Sequence, residues 1–131
     1  MSSLKGKNVI VTGGASGIGL AIARKFGQAG GNAFILDINP DSGKTVAHQL
    51  HAEGLKVQFI HCNVSDYADV QRAMDHVKHP DVLINNAGVA HVGNIEQANP
   101  EDIDRLYQIN IKGIYHCTRA VIGEMVKQGG G

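Results

Sequence analysis

Several features that mark particular protein classes are missing from this chain. Tryptophan is absent, and 12 lysines and arginines balance 12 aspartates and glutamates, so the formal net charge is zero. A neutral chain lacks the basic field that holds nucleic acid or an anionic membrane surface. No apolar run approaches the roughly 18 residues of a transmembrane helix, and the N-terminus has no secretory hydrophobic region. These absences predict a cytoplasmic protein that binds neither nucleic acid nor membrane.

Cysteine is also scarce, which limits disulfide and metal chemistry. Cys62 and Cys117 are too few for a disulfide framework and lack metal-type spacing, so we expect two reduced, small apolar side chains. Two histidine pairs share a helix face, but no cluster of Asp, Glu or Cys completes a ligand set. We therefore predict solvated histidines and no metal site. The pairs are His48 with His51 and His76 with His79.

Glycine, in contrast, is abundant, with 17 residues, and it punctuates a regular alternation of strand and helix patterns. Short β-branched runs predict buried strands, and apolar residues at three- and four-residue steps predict amphipathic helices. The predicted strands are Asn8–Thr12, Ala33–Leu36 closing at Asp37, Val57–Ile60 and Val82–Asn85. The predicted helices are 18–26, one around Val46 and Leu50, one after Ser65 and Asp66, and a long one over 103–126.

This β-α order predicts an α/β fold in a single domain over residues 1–131. Apolar strands that alternate with helices of roughly 10–15 residues build a parallel sheet with helices on both faces. Right-handed crossovers then favour a Rossmann-like doubly wound sheet with strand order 3-2-1-4. A flavodoxin-like strand order is the alternative.

A glycine-rich loop at residues 12–19, Thr-Gly-Gly-Ala-Ser-Gly-Ile-Gly, joins the first predicted strand to the first predicted helix. Glycine at this place permits a tight turn and a close approach of the backbone to a pyrophosphate. The N-terminus of the helix offers unpaired N–H groups to the phosphates. Within a βαβ unit such a loop indicates a dinucleotide site, and a plain βα loop is the alternative.

A carboxylate follows this loop at the end of the second predicted strand. Asp37 is in the expected place to accept hydrogen bonds from the adenosine ribose hydroxyls. Its charge would repel the 2′-phosphate of NADP, and neither Ser16 nor Ile38 supplies a cation for that phosphate. The sequence therefore predicts NAD rather than NADP as the cofactor.

Three ordered motifs resemble those of the short-chain dehydrogenase/reductase family. Thr-Gly-x-x-x-Gly-x-Gly at residues 12–19 resembles its cofactor loop, and Asn-Asn-Ala-Gly at residues 85–88 resembles its motif after the fourth strand. Asn110, within residues 109–113, resembles its helix-borne catalytic asparagine. The resemblance extends from about Leu4 to Gly131. It implies an NAD-dependent oxidoreductase that acts on an alcohol or carbonyl substrate.

The resemblance also implies which residues hold the dinucleotide. Asn63 and Val64 stand where the family usually has Asp-Val near the adenine, and an amide oxygen is still expected to accept from the adenine amino group. Asn85 is expected to tie the fourth strand to its neighbours. The implied binding residues are Gly13, Ser16, Gly17, Ile18 and Gly19 at the pyrophosphate, Asp37 and Ile38 at the adenosine ribose, Asn63 and Val64 at the adenine, and Asn86, Ala87 and Gly88 at the ribose and diphosphate bridge.

For catalysis, the resemblance implies a proton relay through a water held by Asn110. The family's serine and Tyr-x-x-x-Lys pair have no counterpart in these residues. Tyr115 with Arg119 is a near match on the wrong helix, and a planar guanidinium does not replace the lysine. We therefore expect a Rossmann-like domain truncated after the fourth strand and its following helix, inactive alone. The alternatives are a catalytically silent dinucleotide-binding or interaction protein and a degenerate truncated product.

A domain of this kind is expected to expose apolar surface. Its fourth strand becomes a sheet edge, and unpaired backbone groups on an apolar edge favour pairing with another chain. The 103–126 helix would lack partners for its apolar face. We therefore predict marginal stability or self-association through the fourth strand and this helix. Residues 89–97 are the one segment expected to touch substrate, and their composition does not indicate which substrate is bound.

Overall fold

The computed structural model describes residues 4–91 and 93–131, and it has the predicted Rossmann-like order. The predictions for residues 1–3 and for Val92 in the 89–97 segment lie outside the described residues. All strands of the sheet are parallel in the order β3-β2-β1-β4, so the flavodoxin-like alternative is wrong. The elements are β1 Asn8–Thr12, α1 Gly17–Gln28, β2 Asn32–Asp37, α2 Pro40–Ala52, β3 Val57–His61, α3 Tyr67–Met74, β4 Pro80–Ile84, α4 Pro100–Leu106 and α5 Lys112–Lys127, with a π-helical turn, Tyr107–Ile111, between α4 and α5.

Side chains before each of the helices α2, α3 and α4 satisfy the first backbone N–H groups, which explains where these helices begin. Asn39 accepts from the backbone N–H of Ser42, and Asp66 accepts from two N–H groups of the first turn of α3. Asn99 and Asp102 form a reciprocal capping box at α4. These polar turns set the starting points of α2, α3 and α4.

Alternate residues of the strands fill two cores, one on each face of the sheet. Ile10 and Leu36 face α3 and α5, where Val70 and Cys117 are buried against them. Val9, Val11 and Ile35 belong to the opposite cluster, which includes residues of α1 and α2. Because the helices cover the two faces of the sheet, the end of the sheet formed by the carboxyl ends of the strands stays open.

Helix α1 does not bury all the apolar residues of the predicted helix 18–26. Ile18 is 74% exposed and Ala21 is also exposed, whereas Gly19 and Ala23 are buried. The first turn of α1 extends past the carboxyl end of β1, so Ile18 has no sheet beneath it. It lies at the open end of the sheet instead.

The predicted single helix over 103–126 is also wrong in detail, because the π-helical turn divides it into α4 and α5. A π-turn adds a residue to the helical repeat and rotates the following face. Ile103, Tyr107, Ile114 and Ile122 are each roughly half exposed, whereas α5 buries His116 toward the sheet. The apolar stripe is therefore real but faces solvent, as predicted for a helix without its partners.

The fourth strand pairs with β1 on one side and with no other strand in the parts of the chain that the structure describes. Val82, Leu83 and Ile84 are half-buried there rather than covered on both sides. This confirms the predicted position of β4 at a sheet edge. Across the described residues, no helix is long and apolar enough to cross a membrane.

Candidate functional site

A cleft of about 600 Å³ lies at the carboxyl ends of the strands, where the predicted motifs meet. Every residue implied to bind the dinucleotide lines it, except Gly19. Five elements or loops contribute: the β1–α1 loop, the ends of β2 and β3, the turn after β4, and α4 with its π-turn. The lining residues are Gly13, Ser16, Gly17, Ile18, Leu36, Asp37, Ile38, Cys62, Asn63, Val64, Ser65, Asn86, Ala87, Gly88, Val89, Arg105 and Ile109.

The glycine loop is packed tightly around three of its glycines, Gly13, Gly14 and Gly19. Gly13 has a φ of +64°, and a β-carbon there would lie 3.0 Å from the α-carbon of Ala87. A β-carbon on Gly19 would collide with the Gly13 carbonyl oxygen and the Asn86 Nδ2. Gly19 therefore does not line the cleft, but its lack of a side chain lets α1 pack closely against the loop.

The N-terminus of α1 opens toward the cleft and is suited to an anion. Ser16 is the N-cap residue, but its side chain makes no capping hydrogen bond. The first N–H groups of a helix have no intrahelical partners, and the helix dipole places partial positive charge at this end. Gly17 and Ile18, in that first turn, line the cleft. This arrangement suits the phosphates of a nucleotide.

Asn86 locks the glycine loop to the end of β4. Its Nδ2 donates to the carbonyl oxygens of Thr12 and Gly13, each at 3.1 Å. The side chain is thereby committed to the protein, although the residue lines the cleft. Sequence reasoning placed Asn86 beside the cofactor and missed this structural task.

Thr12 is a second locking residue, and sequence reasoning assigned it no role. Its Oγ1 accepts from the backbone N–H groups of Asn86 (3.0 Å) and Ala87 (2.9 Å) and donates to the carbonyl of Ile84 at 3.4 Å. The side chain is buried at 1% exposure. A hydroxyl at the end of a β-branched strand was the available signal, because a buried hydroxyl needs partners.

Asp37 lies in the cleft wall at the end of β2, as predicted. Its Oδ2 accepts from the backbone N–H of Ala15 at 3.1 Å, and its Oδ1 accepts from that of Asn39 at 3.0 Å. Each oxygen keeps a further lone pair for another donor. Arg105 of α4 also lines the cleft, so the cleft holds a cation that sequence reasoning missed.

The turn after β3 carries Asn63 and is braced from α3. The backbone N–H of Asn63 donates to Asp69 at 2.7 Å, and the Arg72 Nε donates to the other oxygen of Asp69 at 2.8 Å. The Arg72 hydrogen bond, with the Asn63 N–H as the next contribution, lowers the pKa of Asp69 below its ordinary value. Arg72 also donates to the carbonyl of His61. The turn is therefore held at both ends by one ion pair.

Asn110 lies in the π-turn and holds the loop that follows β4. Its Oδ1 accepts from the backbone N–H of Val89 and its Nδ2 donates to the carbonyl of Val89, both at 2.8 Å. Asn110 itself does not line the cleft, whereas Val89 does. Its side-chain amide therefore holds the backbone of this loop in place at Val89. Asn85 binds Thr118 of α5 at 3.3 Å, so it ties the end of β4 to a helix rather than to a strand.

Tyr115 and Arg119 lie outside the cleft. The Nη1 of Arg119 donates to the hydroxyl of Tyr115 at 2.7 Å, and its guanidinium lies 5.7 Å from the centre of the Tyr67 ring. Arg119 and Tyr67 line a separate, larger cavity of about 740 Å³ between α3 and α5. That cavity contains none of the predicted motif residues. This position agrees with the interpretation of Tyr115 as a false match.

The two thiols are buried and unpaired, Cys62 in the cleft wall and Cys117 on α5. Burial raises the pKa of both to about 12. A thiol with such a pKa is protonated at neutral pH and is not a nucleophile. Among the described residues, no group of three His, Cys, Asp or Glu side chains could hold a metal ion.

Comparison with known proteins assigns this arrangement to a family. A family model described as short chain dehydrogenase matches residues 7–131. The chain belongs to the short-chain dehydrogenase family. Its glycine loop, Asn-Asn-Ala-Gly turn and Asn110 all lie within the matched residues.

Individual relatives agree with this assignment. Oxidoreductase UcpA of Salmonella typhimurium (strain LT2) is 39% identical over 132 residues, which cover 98% of this chain and 50% of that protein. The short chain dehydrogenase/reductase from Burkholderia phymatum in complex with NAD has a TM-score of 0.92 at 28% identity, over 98% of this chain and 47% of that one. The gluconate 5-dehydrogenase from Burkholderia cenocepacia J2315 in complex with NADP and tartrate has a TM-score of 0.88 at 30% identity, over 95% and 51%. The chain spans about half the length of the curated relatives it matches.

Proposed function

We propose that residues 1–131 form the NAD(H)-binding part of a short-chain dehydrogenase that oxidises an alcohol or reduces a carbonyl. The observation that carries this proposal is the cleft at the carboxyl ends of the strands, where the glycine loop, Asp37, Asn63 and the Asn86 turn meet. Ligands of parallel α/β sheets bind at this edge, where the strand order reverses on either side of β1. A nicotinamide dinucleotide fits the chemistry of the residues present.

Each part of a dinucleotide has a suitable group in the cleft. The open N-terminus of α1 would hold the pyrophosphate, with Ser16, Gly17 and Ile18 as its nearest residues, and Gly13 and Gly19 keep the backbone close. Asp37 would bind the adenosine ribose, with Ile38 beside it. The Asn63–Val64 turn would border the adenine. Ala87 and Gly88 would pass the ribose and diphosphate bridge. When bound, the dinucleotide supplies the hydride acceptor or donor.

The same residues support NAD over NADP. In the proposed binding mode Asp37 would set a carboxylate beside the adenosine 2′-hydroxyl, where a phosphate would be repelled. The neighbouring Ser16 and Ile38 carry no charge. Structural neighbours include one complex with NAD and one with NADP, so the family alone does not decide the preference. The preference follows from the residues of this chain.

Residues 1–131 are proposed to bind the dinucleotide without turnover. No tyrosine in these residues has a lysine four positions later, and Tyr115 lies outside the cleft. Asn110, which we propose for the relay, has both ends of its amide on Val89, so it would act in catalysis by positioning that loop. The remaining proton-transfer groups and most of the substrate-binding groups of the whole protein would come from outside these residues.

Cofactor titration tests this proposal. We expect the wild-type chain to bind NADH more tightly than NADPH, with no NAD reduction in the presence of simple alcohols. Asp37→Ala should lower the ratio of the NADPH to the NADH dissociation constant about tenfold, because it removes both the ribose acceptor and the repulsion. The ratio is the proper readout, because Asp37 also holds Ala15 and Asn39. Dinucleotide fluorescence on titration measures all four constants.

The matched control is Asp75→Ala, which removes an exposed carboxylate at the end of α3, outside the cleft. It should leave the ratio unchanged. Tighter binding of NADPH than NADH by the wild-type chain would contradict the NAD preference. Binding of neither dinucleotide would contradict the binding function, and NAD reduction that Tyr115→Phe abolishes would contradict the absence of turnover.

We further propose that the chain self-associates through β4 and the exposed stripe of α4, the π-turn and α5. This stripe includes Ile103, Tyr107, Ile111, Ile114, Ile122 and Val126, which are 44–72% exposed. A contiguous apolar surface of this kind is typical of an interaction site rather than of solvent-exposed surface. The edge of β4 adds unpaired backbone groups beside half-buried apolar residues.

Sedimentation velocity tests the self-association. We expect species larger than a monomer at micromolar concentration, and we expect the double variant Ile114→Lys/Ile122→Lys to shift the distribution to monomer because charge would be buried at the contact. Ile95→Lys, on a loop residue that is 84% exposed, is the control and should not change it. A wild-type chain that sediments as a monomer at all concentrations would rule the contact out.

A further inference from the structure

The side-chain amide of Asn63 has a fixed orientation in the cleft. Its Oδ1 accepts from the backbone N–H of Ser65 at 3.1 Å and from the Ser65 hydroxyl at 2.6 Å. A backbone N–H is an obligatory donor, so the atom that faces it must be the amide oxygen rather than the nitrogen. Both lone pairs of Oδ1 are therefore occupied within the protein.

The Nδ2 of Asn63 is left for a ligand. It has no hydrogen-bond partner among residues 4–91 and 93–131, and no side-chain nitrogen or oxygen buried there lacks a partner, so Nδ2 is accessible. Asn63 lines the cleft beside Val64. An amide nitrogen carries two donors and no acceptor. The predicted contact, in which the amide oxygen of Asn63 accepts from the adenine amino group, would need a lone pair that Ser65 already occupies.

We propose that Asn63 makes the base-binding part of the cleft a hydrogen-bond donor toward position 6 of the purine, so that it takes a dinucleotide with a 6-oxopurine base at least as readily as one with adenine. A 6-amino group is a donor and would face another donor, whereas a 6-oxo group is an acceptor. This inference rests on the proposed function, because it concerns the base of the same bound dinucleotide.

The surrounding charge supports a neutral donor at position 63. Asp69 accepts from the backbone N–H of Asn63 at 2.7 Å and is held ionised by Arg72. A second carboxylate at position 63 would lie beside that negative charge, and like charges at this range repel. The amide avoids this repulsion and keeps the turn intact through Ser65. The cost is the loss of an acceptor for the adenine amino group.

Competition between two cofactors tests the inference. The probes are NADH and reduced nicotinamide hypoxanthine dinucleotide, which differ in the 6-substituent and the protonation of the ring nitrogen beside it. For the wild-type chain we expect the dissociation constant of the hypoxanthine form to be no greater than that of NADH. Asn63→Asp keeps an oxygen for Ser65 and adds a free acceptor. The dissociation constant of the hypoxanthine form divided by that of NADH should therefore rise about tenfold.

The control variant is Asn99→Asp, since the Asn99 Oδ1 also accepts a backbone N–H, that of Asp102, but at the start of α4 and outside the cleft. It adds the same charge and should leave the ratio unchanged. A wild-type preference for NADH above threefold, or a ratio that Asn63→Asp does not raise, would overturn the inference while NADH binding still supports the proposed function. Failure to bind either dinucleotide would overturn both.

Discussion

Replacement of Gly19 by alanine is expected to abolish measurable NADH binding. The new β-carbon would collide with the carbonyl oxygen of Gly13 and the Nδ2 of Asn86, both of which belong to the locked loop. These atoms cannot shift without breaking hydrogen bonds, because the Asn86 Nδ2 already donates to two carbonyls at 3.1 Å. The helix would have to move away from the loop, and the N–H groups aimed at the pyrophosphate would move with it. We expect an affinity loss of at least about 100-fold, a few kcal/mol, by NADH titration.

The matched control is Gly123→Ala on α5. A β-carbon there meets nothing within 4 Å, and alanine is the better helix former, so stability should rise by about 0.5–1 kcal/mol with NADH affinity unchanged. Circular dichroism of Gly19→Ala separates lost binding from lost structure. An unchanged NADH affinity in Gly19→Ala would contradict this prediction, because it would show that the loop accommodates a β-carbon at position 19.

Thr12→Val should be the most destabilising isosteric substitution at the site. It removes the hydroxyl that accepts from the N–H groups of Asn86 and Ala87, and the methyl group that replaces it blocks water from reaching them. Each buried polar group left without a partner costs roughly 1–3 kcal/mol. We therefore expect the free energy of unfolding to fall by about 2–4 kcal/mol, measured by urea denaturation with an unchanged m-value.

Two further variants isolate the hydroxyl as the cause. Thr12→Ser keeps the hydroxyl and should lose less than Thr12→Val, while Thr45→Val makes the same chemical change at an exposed position of α2 and should be nearly neutral. If Thr12→Val and Thr45→Val change stability equally, the hydrogen bonds to the β4 turn contribute nothing. A loss confined to Thr12→Val confirms that the hydroxyl stabilises the turn.

Local sequence determined the strands and the glycine-rich loop. Runs such as Asn8–Thr12 were predicted because a strand buried on both faces must be continuously apolar, and the structure places them in the sheet. Position in the βαβ order then placed Asp37, Asn63 and Asn86 at one edge, since parallel strands end together. The cleft was therefore predictable without any knowledge of side-chain contacts.

Side-chain hydrogen bonds between distant residues were not predictable. Thr12 reaches Asn86 and Ala87 across more than seventy positions, and Asn110 reaches Val89 across 21. No local pattern encodes such a partner, because the pairing depends on where the strands and the π-turn finally lie. The orientation of the Asn63 amide was missed although Ser65 is near in sequence, since an asparagine before a helix has several possible turns.

The sequence by itself indicated the family, favoured the strand order and identified many of the residues that border the cleft, because apolar periodicity and glycine spacing are local properties that a fold must satisfy. The tertiary structure decided how those residues act. It commits Asn86, Thr12 and Asn110 to holding loops in place, and it leaves the Nδ2 of Asn63 without a partner among the described residues. A side chain's type fixes which hydrogen bonds it is able to make, and only its neighbours in space decide which of them remain free.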